Sequence, residues 1–125
     1  MLTFSYYTFA SYQPKSLREL PEVKGLDSTP DNYVPTPIDS YIVGSDLGSD
    51  VKTTVVKTSK PIMDIETFYY NISRIKKWNL EESFADDRGF TRVFKHRGNT
   101  LRINVTKSEN PTDVFNYVSI TVIES

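Results

Sequence analysis

The uneven distribution of proline constrains the fold of this chain more than any other feature. Five of the seven prolines precede residue 38, at positions 14, 21, 30, 35 and 37. Because proline fixes φ and lacks an N–H, a segment rich in it forms neither a long helix nor a central strand. The distribution therefore predicts an extended N-terminal arm over residues 1–38, followed by a single domain over residues 39–125.

The beginning of the arm is rich in aromatic side chains. Apolar and hydroxyl residues nearly alternate from Leu2 to Phe9, a pattern typical of a strand with one apolar face. Such a strand either pairs with the domain's own sheet or adds to the sheet edge of a partner. We predict that its aromatic side chains bind the partner; these residues are Phe4, Tyr6, Tyr7, Phe9 and Tyr12.

The sequence of the first half of the domain predicts a hairpin followed by a helix. Two β-prone runs, residues 39–43 and 51–58, enclose a turn-rich segment at residues 44–50, which indicates a hairpin with a loose loop. Apolar residues then recur at three- and four-residue steps, so we predict a helix over about residues 61–77, with Ser59 or Asp64 as its N-cap. The predicted apolar stripe consists of Ile65, Phe68, Tyr69, Ile72 and Ile75.

Three further strands are predicted after an acidic loop at residues 81–87. Residues 90–96 and 100–107 flank a short turn that contains glycine, and the last strand covers about residues 114–123. The order β-β-α-β-β-β predicts an α+β domain in which one main helix packs across a mostly antiparallel sheet. The core positions predicted on the last two strands are Leu101, Ile103, Val105, Val114, Val118, Ile120 and Val122.

Composition and charge narrow the classes of function. The chain has no cysteine, and 15 Lys and Arg stand against 16 Asp and Glu, a formal net charge of −1. Sulfur-based zinc sites and thiolate nucleophiles are thereby excluded, and no overall positive field attracts nucleic acid. Residues 1–10 are not typical of a signal peptide, because Thr and Ser interrupt the apolar residues and no basic residue precedes Lys15. No segment is apolar enough to span a membrane.

The sequence shows no recognisable catalytic or metal-binding pattern. His96 is the only histidine, and no nucleophile or carboxylate is placed beside it. The acidic residues of segment 81–87, and Asp46 with Asp50, have the spacing of no known calcium loop and are interpreted as solvated loops. We therefore predict a non-catalytic protein without a metal or cofactor, and an enzyme with an unfamiliar site is an alternative.

A second alternative is single-stranded nucleic-acid binding by the hairpin at residues 90–107. This hairpin carries Arg92, Arg97 and Arg102, with Phe90 and Phe94 beside them. A basic sheet face with exposed aromatic rings can hold single strands by stacking and phosphate contacts. The aromatic residues are more simply core residues, and the missing basic bias of the domain disfavours nucleic acid as the partner.

One stretch of the domain resembles a known type of protein. A run ending in Thr58-Ser59, then Pro61, a helix carrying Phe68-Tyr69 and a closing Lys77-Trp78 precede the predicted three-strand meander. This pattern, over about residues 50–123, resembles small bacterial envelope and lipoprotein domains, in which glycine usually stands at the position of Lys77. The resemblance implies a binding or scaffold role, in the bacterial envelope or as a secreted protein.

These observations together predict a non-catalytic interaction or structural module. We expect it to bind another protein, or to join a larger assembly, through the N-terminal arm and a face or edge of the sheet. Association of identical chains through a sheet edge is compatible with the same pattern.

Overall fold

The computed structural model describes residues 33–124, which form one helix and a six-stranded sheet. The predicted α+β class and the predicted order β-β-α-β-β-β are confirmed, with one further strand between the helix and the last three strands. In chain order the elements are β1 (Ser40–Leu47), β2 (Val51–Thr58), α1 (Ile62–Lys76), β3 (Asn79–Asp86), β4 (Gly89–His96), β5 (Asn99–Lys107) and β6 (Asn116–Ile123).

The strands lie in the order β1-β2-β6-β5-β4-β3, and every neighbouring pair is antiparallel. The last strand, β6, therefore lies in the interior of the sheet, where it joins the β1–β2 hairpin to the β3–β4–β5 meander. Within the part of the chain that the structure describes, strands β1 and β3 form the two edges.

Helix α1 packs against one face of the sheet and encloses the core with it. The predicted helical stripe is buried along the helix, except that Phe68 is only partly buried. The strand residues that face the helix are spaced by two, as the alternation of a strand requires. Full burial of one such side chain contributes about 1.5–3 kcal/mol. The buried strand residues include Val56, Leu101, Ile103, Val105, Val118, Ile120 and Val122.

One predicted core position is wrong. Val114 is 72% exposed, because β6 begins only at Asn116 and residues 113–115 belong to no strand. The last strand is therefore shorter than predicted at its start.

The two ends of α1 differ from the predicted capping. Pro61 occupies the N-cap position without a side-chain hydrogen bond, so neither Ser59 nor Asp64 caps the helix. At the other end Lys77 adopts the left-handed conformation, with φ of 59°, and the Trp78 N–H donates to the Ser73 carbonyl at 2.9 Å. Glycine adopts this conformation without strain, so the backbone here has the geometry for which glycine is usual.

Two segments predicted as loops are strands. Residues 44–47 continue β1 past a β-bulge between Ile42 and Gly44, so the turn of this hairpin is much shorter than predicted. Residues 81–86 belong to β3, which pairs with β4. Pairing supplies the backbone hydrogen bonds of this acidic segment, and at a sheet edge its charged side chains stay in water.

The last residues of the predicted arm pack against the domain. Pro35 and Pro37 are buried, Val34 packs on the core, and the Tyr69 hydroxyl donates to the Pro35 carbonyl at 2.9 Å. Burial, and to a lesser degree the neighbouring Tyr33, raise the pKa of Tyr69 well above its usual range. Residues 33–37 are thereby fixed beside α1, over the part of the sheet formed by β2 and β6.

Candidate functional site

Edge strand β1 carries more exposed large apolar side chains than any other helix or strand of the described residues. Seven of its eight residues are exposed, and among residues 33–124 only β2 pairs with it. The free edge of such a strand presents unpaired N–H and C=O groups to which another extended chain can bind. Its exposed apolar side chains are Tyr41, Ile42, Val43 and Leu47, each between 55% and 71% exposed.

The apolar side chains of β1 lie on both faces of the sheet. Ile42 is opposite Val56 and therefore lies on the face that carries α1, whereas Tyr41 is opposite Lys57 on the other face. Val43 is the extra residue of the β-bulge and has no residue directly opposite it on β2. A strand added to this edge could therefore bury apolar side chains on either face.

Strand β3, at the opposite edge, has a different character. It exposes Leu80 and Phe84, but these are interrupted by Glu81 and Glu82, and Asp86 ends the strand. Charged side chains on an edge strand oppose pairing with another strand. Strand β1 carries a single charged residue and no proline, so it is the less protected of the two edges.

An aromatic corner, formed by Tyr41, Lys57 and Phe115, extends the β1 surface onto the face opposite α1. The Tyr41 and Phe115 rings meet edge to face with centroids 6.5 Å apart, and Lys57 Nζ lies 4.6 Å from the centre of the Phe115 ring. Aromatic and cation–π contacts of this kind hold the side chains of the aromatic corner in place while leaving part of their apolar surface exposed.

Asp113 fixes the loop that carries Phe115. Its carboxylate accepts the Phe115 N–H at 2.9 Å and the Tyr117 hydroxyl at 3.0 Å. The Phe115 N–H, with a smaller contribution from Tyr117, holds the pKa of Asp113 below its usual range, and the same carboxylate raises the pKa of Tyr117. The corner is therefore pre-organised by its own hydrogen bonds.

The three arginines of the nucleic-acid hypothesis do not share one face. Arg92 lies opposite Ile103 on the helix side, where it pairs with Glu66 and donates to the Phe84 carbonyl at 3.2 Å. Arg102 lies on the other face, and Arg97 lies in the turn between β4 and β5. The aromatic residues expected beside them, Phe90 and Phe94, are buried.

The remaining candidate residues are also dispersed. His96 is buried at the end of β4, opposite Asn99. Among residues 33–124, no three His, Cys, Asp or Glu side chains are close enough to hold a metal ion together. No helix in this part of the chain is long and apolar enough to cross a membrane. The partner-binding residues predicted in the arm lie outside the described residues; they are Phe4, Tyr6, Tyr7, Phe9 and Tyr12.

Residues 39–43 were predicted to form a strand, but this strand was not predicted to be a binding edge. One signal was present: Tyr41, Ile42 and Val43 are three consecutive apolar residues, which cannot all face one core. Comparison of the chain with models of protein families, with curated proteins and with solved structures found no match.

Proposed function

We propose that this protein is a non-catalytic protein-binding module that accepts an extended segment of a partner protein along β1. The observation that carries this proposal is an exposed eight-residue edge strand with apolar side chains on both faces. In binding by strand addition, main-chain hydrogen bonds supply much of the affinity, and the alternating side chains supply specificity. The partner segment would be apolar at the positions that meet Ile42 and Tyr41.

The β-bulge favours a different protein over a second copy as the occupant. In a pair of identical β1 strands, both bulges would enter one ladder, and a bulge bends and twists the strand that contains it. A partner peptide of another sequence can adjust its register to a single bulge. The aromatic corner adds a second contact surface beside the edge.

The N-terminal arm is the other part of the proposed interface. Its aromatic residues would contact the partner beyond β1, in keeping with the binding role that the resemblance to bacterial envelope domains implies. Residues 33–37, which lead into the domain, are anchored by the Tyr69 hydrogen bond to the Pro35 carbonyl.

The proposal is tested by selecting peptides from a random display library against the full chain. We expect enrichment of extended peptides with alternating apolar residues. Substitution Ile42→Lys should weaken their binding at least tenfold, because it places a charge in the apolar contact. The matched control is Phe84→Lys, which makes the same type of change at an exposed position on the opposite edge, and it should leave binding unchanged.

Three outcomes would contradict the proposal. The selected peptides could be sensitive to Phe84→Lys and insensitive to Ile42→Lys, or no peptide could be enriched. Light scattering could show a dimer that Ile42→Lys converts to a monomer, which would assign the edge to a second copy of the chain.

The nucleic-acid alternative is less well supported by this geometry, since Arg92 is paired with Glu66, and of the three predicted arginines only Arg102 lies on the face opposite the helix. It predicts oligonucleotide binding that falls steeply with salt and is lost in Arg102→Ala.

A further inference from the structure

Asp46 is the one charged side chain of strand β1, and it lies on the face of the sheet opposite α1. In the ladder with β2 it is directly opposite Thr53, three residues from the buried Val56, so the alternation of a strand places it on the other face. Asp46 is exposed and forms no hydrogen bond or ion pair with any residue from 33 to 124. Lys52, next to Thr53 in β2, lies on the helix side and pairs with Glu124 at 3.2 Å.

The cross-strand row that contains Asp46 holds no cation close to it. Going inward from the edge, the row continues through Thr53 and Thr121, whose hydroxyl oxygens are 3.4 Å apart, before it reaches Arg102. Three strand spacings of about 4.8 Å each separate the backbones of Asp46 and Arg102 by about 14 Å. A cation directly beside Asp46 therefore has to come from a strand added outside β1.

The sequence around Asp46 makes this edge negative. Residues 38–51 contain three aspartates and neither Lys nor Arg. Directly opposite side chains in neighbouring antiparallel strands have Cβ atoms about 4.5–5.5 Å apart, within reach of an ion pair. Charge complementarity thus favours an added strand that carries Lys or Arg opposite Asp46, and it disfavours Asp or Glu at that position.

Gly44 leaves room beside Asp46 on the same face. It lies two residues before Asp46 and directly opposite Val55, and a Cβ added to it would meet no atom within 4 Å. A large side chain of an added strand can cover an edge glycine of this kind. The edge therefore fits a partner that presents a large apolar residue opposite Gly44 and a basic residue opposite Asp46.

We infer that the partner segment carries Lys or Arg opposite Asp46 and, two residues from it, a large apolar residue opposite Gly44. This inference rests on the proposed strand addition at β1 and deepens it, because it assigns Asp46 as the residue that selects the partner by charge. A segment with Asp or Glu at that position is rejected by like-charge repulsion, and a neutral residue there leaves the carboxylate partly desolvated without a partner.

Parallel selections of one random display library, against the full-length wild type and against Asp46→Lys, test this charge preference. Peptides selected by the wild type should carry Lys or Arg two residues from a large apolar residue. Asp46→Lys should select Asp or Glu at the same position. The matched control is Glu82→Lys, which reverses an exposed carboxylate at the far end of the same cross-strand row, on β3; it should still select Lys or Arg.

A double-mutant cycle with one synthetic peptide from the wild-type selection measures the size of the preference. Replacing its basic residue with glutamine should weaken binding to the wild type about two- to fivefold, and added salt should reduce this difference. The two peptides should bind Asp46→Asn with equal affinity. With Glu82→Gln the two- to fivefold difference should remain.

The outcomes distinguish this inference from the proposed function. If peptides that are weakened by Ile42→Lys show no excess of Lys or Arg, or if Asp46→Asn keeps the full difference, the inference is overturned while strand addition at β1 stands. Equal effects of Asp46→Asn and Glu82→Gln would also overturn it, because the preference would then follow the net charge of the protein. If no selected peptide is weakened by Ile42→Lys, strand addition itself fails, and the role of Asp46 fails with it.

Discussion

Replacing Tyr69 with phenylalanine removes one hydroxyl group and tests how residues 33–37 are held to the domain. The Tyr69 hydroxyl is buried and donates to the Pro35 carbonyl at 2.9 Å. A neutral hydrogen bond contributes about 0.5–1.5 kcal/mol net, and a buried acceptor left without a partner costs about 1–3 kcal/mol. We therefore expect Tyr69→Phe to lower the free energy of unfolding by about 1–2 kcal/mol.

Urea denaturation monitored through Trp78 fluorescence measures this loss. With an m-value of about 1.5 kcal/mol/M, the midpoint should fall by about 1 M. Tyr70→Phe is the matched control, since Tyr70 is the neighbouring tyrosine and is 58% exposed; it should change the midpoint little. Equal stability of the two variants would refute the role given to the Tyr69 hydrogen bond.

The stability difference between the wild type and Tyr69→Phe should also depend on pH. In the unfolded chain Tyr69 ionises at a pKa of about 10, whereas burial raises its pKa in the folded state. Since the folded pKa is the higher one, the contribution of Tyr69 is complete below about pH 10 and is lost as the pH rises above that value, at about 1.4 kcal/mol per pH unit. The stability difference between the wild type and Tyr69→Phe should therefore shrink to nearly zero by about pH 11. A difference that stays constant to pH 11 would contradict the burial of the phenol.

Three further substitutions test the fold by the same denaturation assay. Lys77→Gly should raise the free energy of unfolding by about 0.5–1 kcal/mol, because Lys77 has a left-handed φ, and a decrease would contradict that geometry. Gly89→Ala should be strongly destabilising, since its Cβ would lie 1.8 Å from a β5 carbonyl oxygen, whereas Gly44→Ala, with nothing within 4 Å, should be neutral. Ile103→Ala should cost about 2–5 kcal/mol and Ile123→Ala clearly less, because Ile103 is fully buried and Ile123 is 40% exposed; similar losses would contradict the assigned core face.

The elements that were predicted correctly are those with a strong local pattern. The helical stripe from Ile65 to Ile75 and the alternation from Leu101 to Val105 each identify an element and its buried face. The acidic strand β3 lacks such a pattern, because it forms through pairing with β4, and the sequence of the segment itself contains little sign of that partner. Pairing with β2 likewise extends β1 past Gly44, although the turn-forming residues of this segment predicted a loop.

The candidate site depends on strand order, which local patterns do not contain. Strand β1 is an edge because β6, which is distant in the chain, inserts between β2 and β5 and does not pair with β1. The face of the sheet on which Arg92 lies could have been predicted from the sequence. Phe90 and Phe94 were recognised as core residues, and Arg92, two positions from each, must lie on the same face of the strand.

Hydrogen exchange of the β1 amides in the free full-length protein measures whether the outer edge of β1 is open to a partner strand. In an antiparallel edge strand, about half of the amides point away from the only neighbouring strand. We expect fast-exchanging amides to alternate with slow ones along residues 40–47, and a selected peptide to slow the fast amides at least tenfold while exchange in β3 stays unchanged. Uniformly slow exchange along β1 in the free protein would contradict binding of a partner at this edge, because the edge would then already be covered.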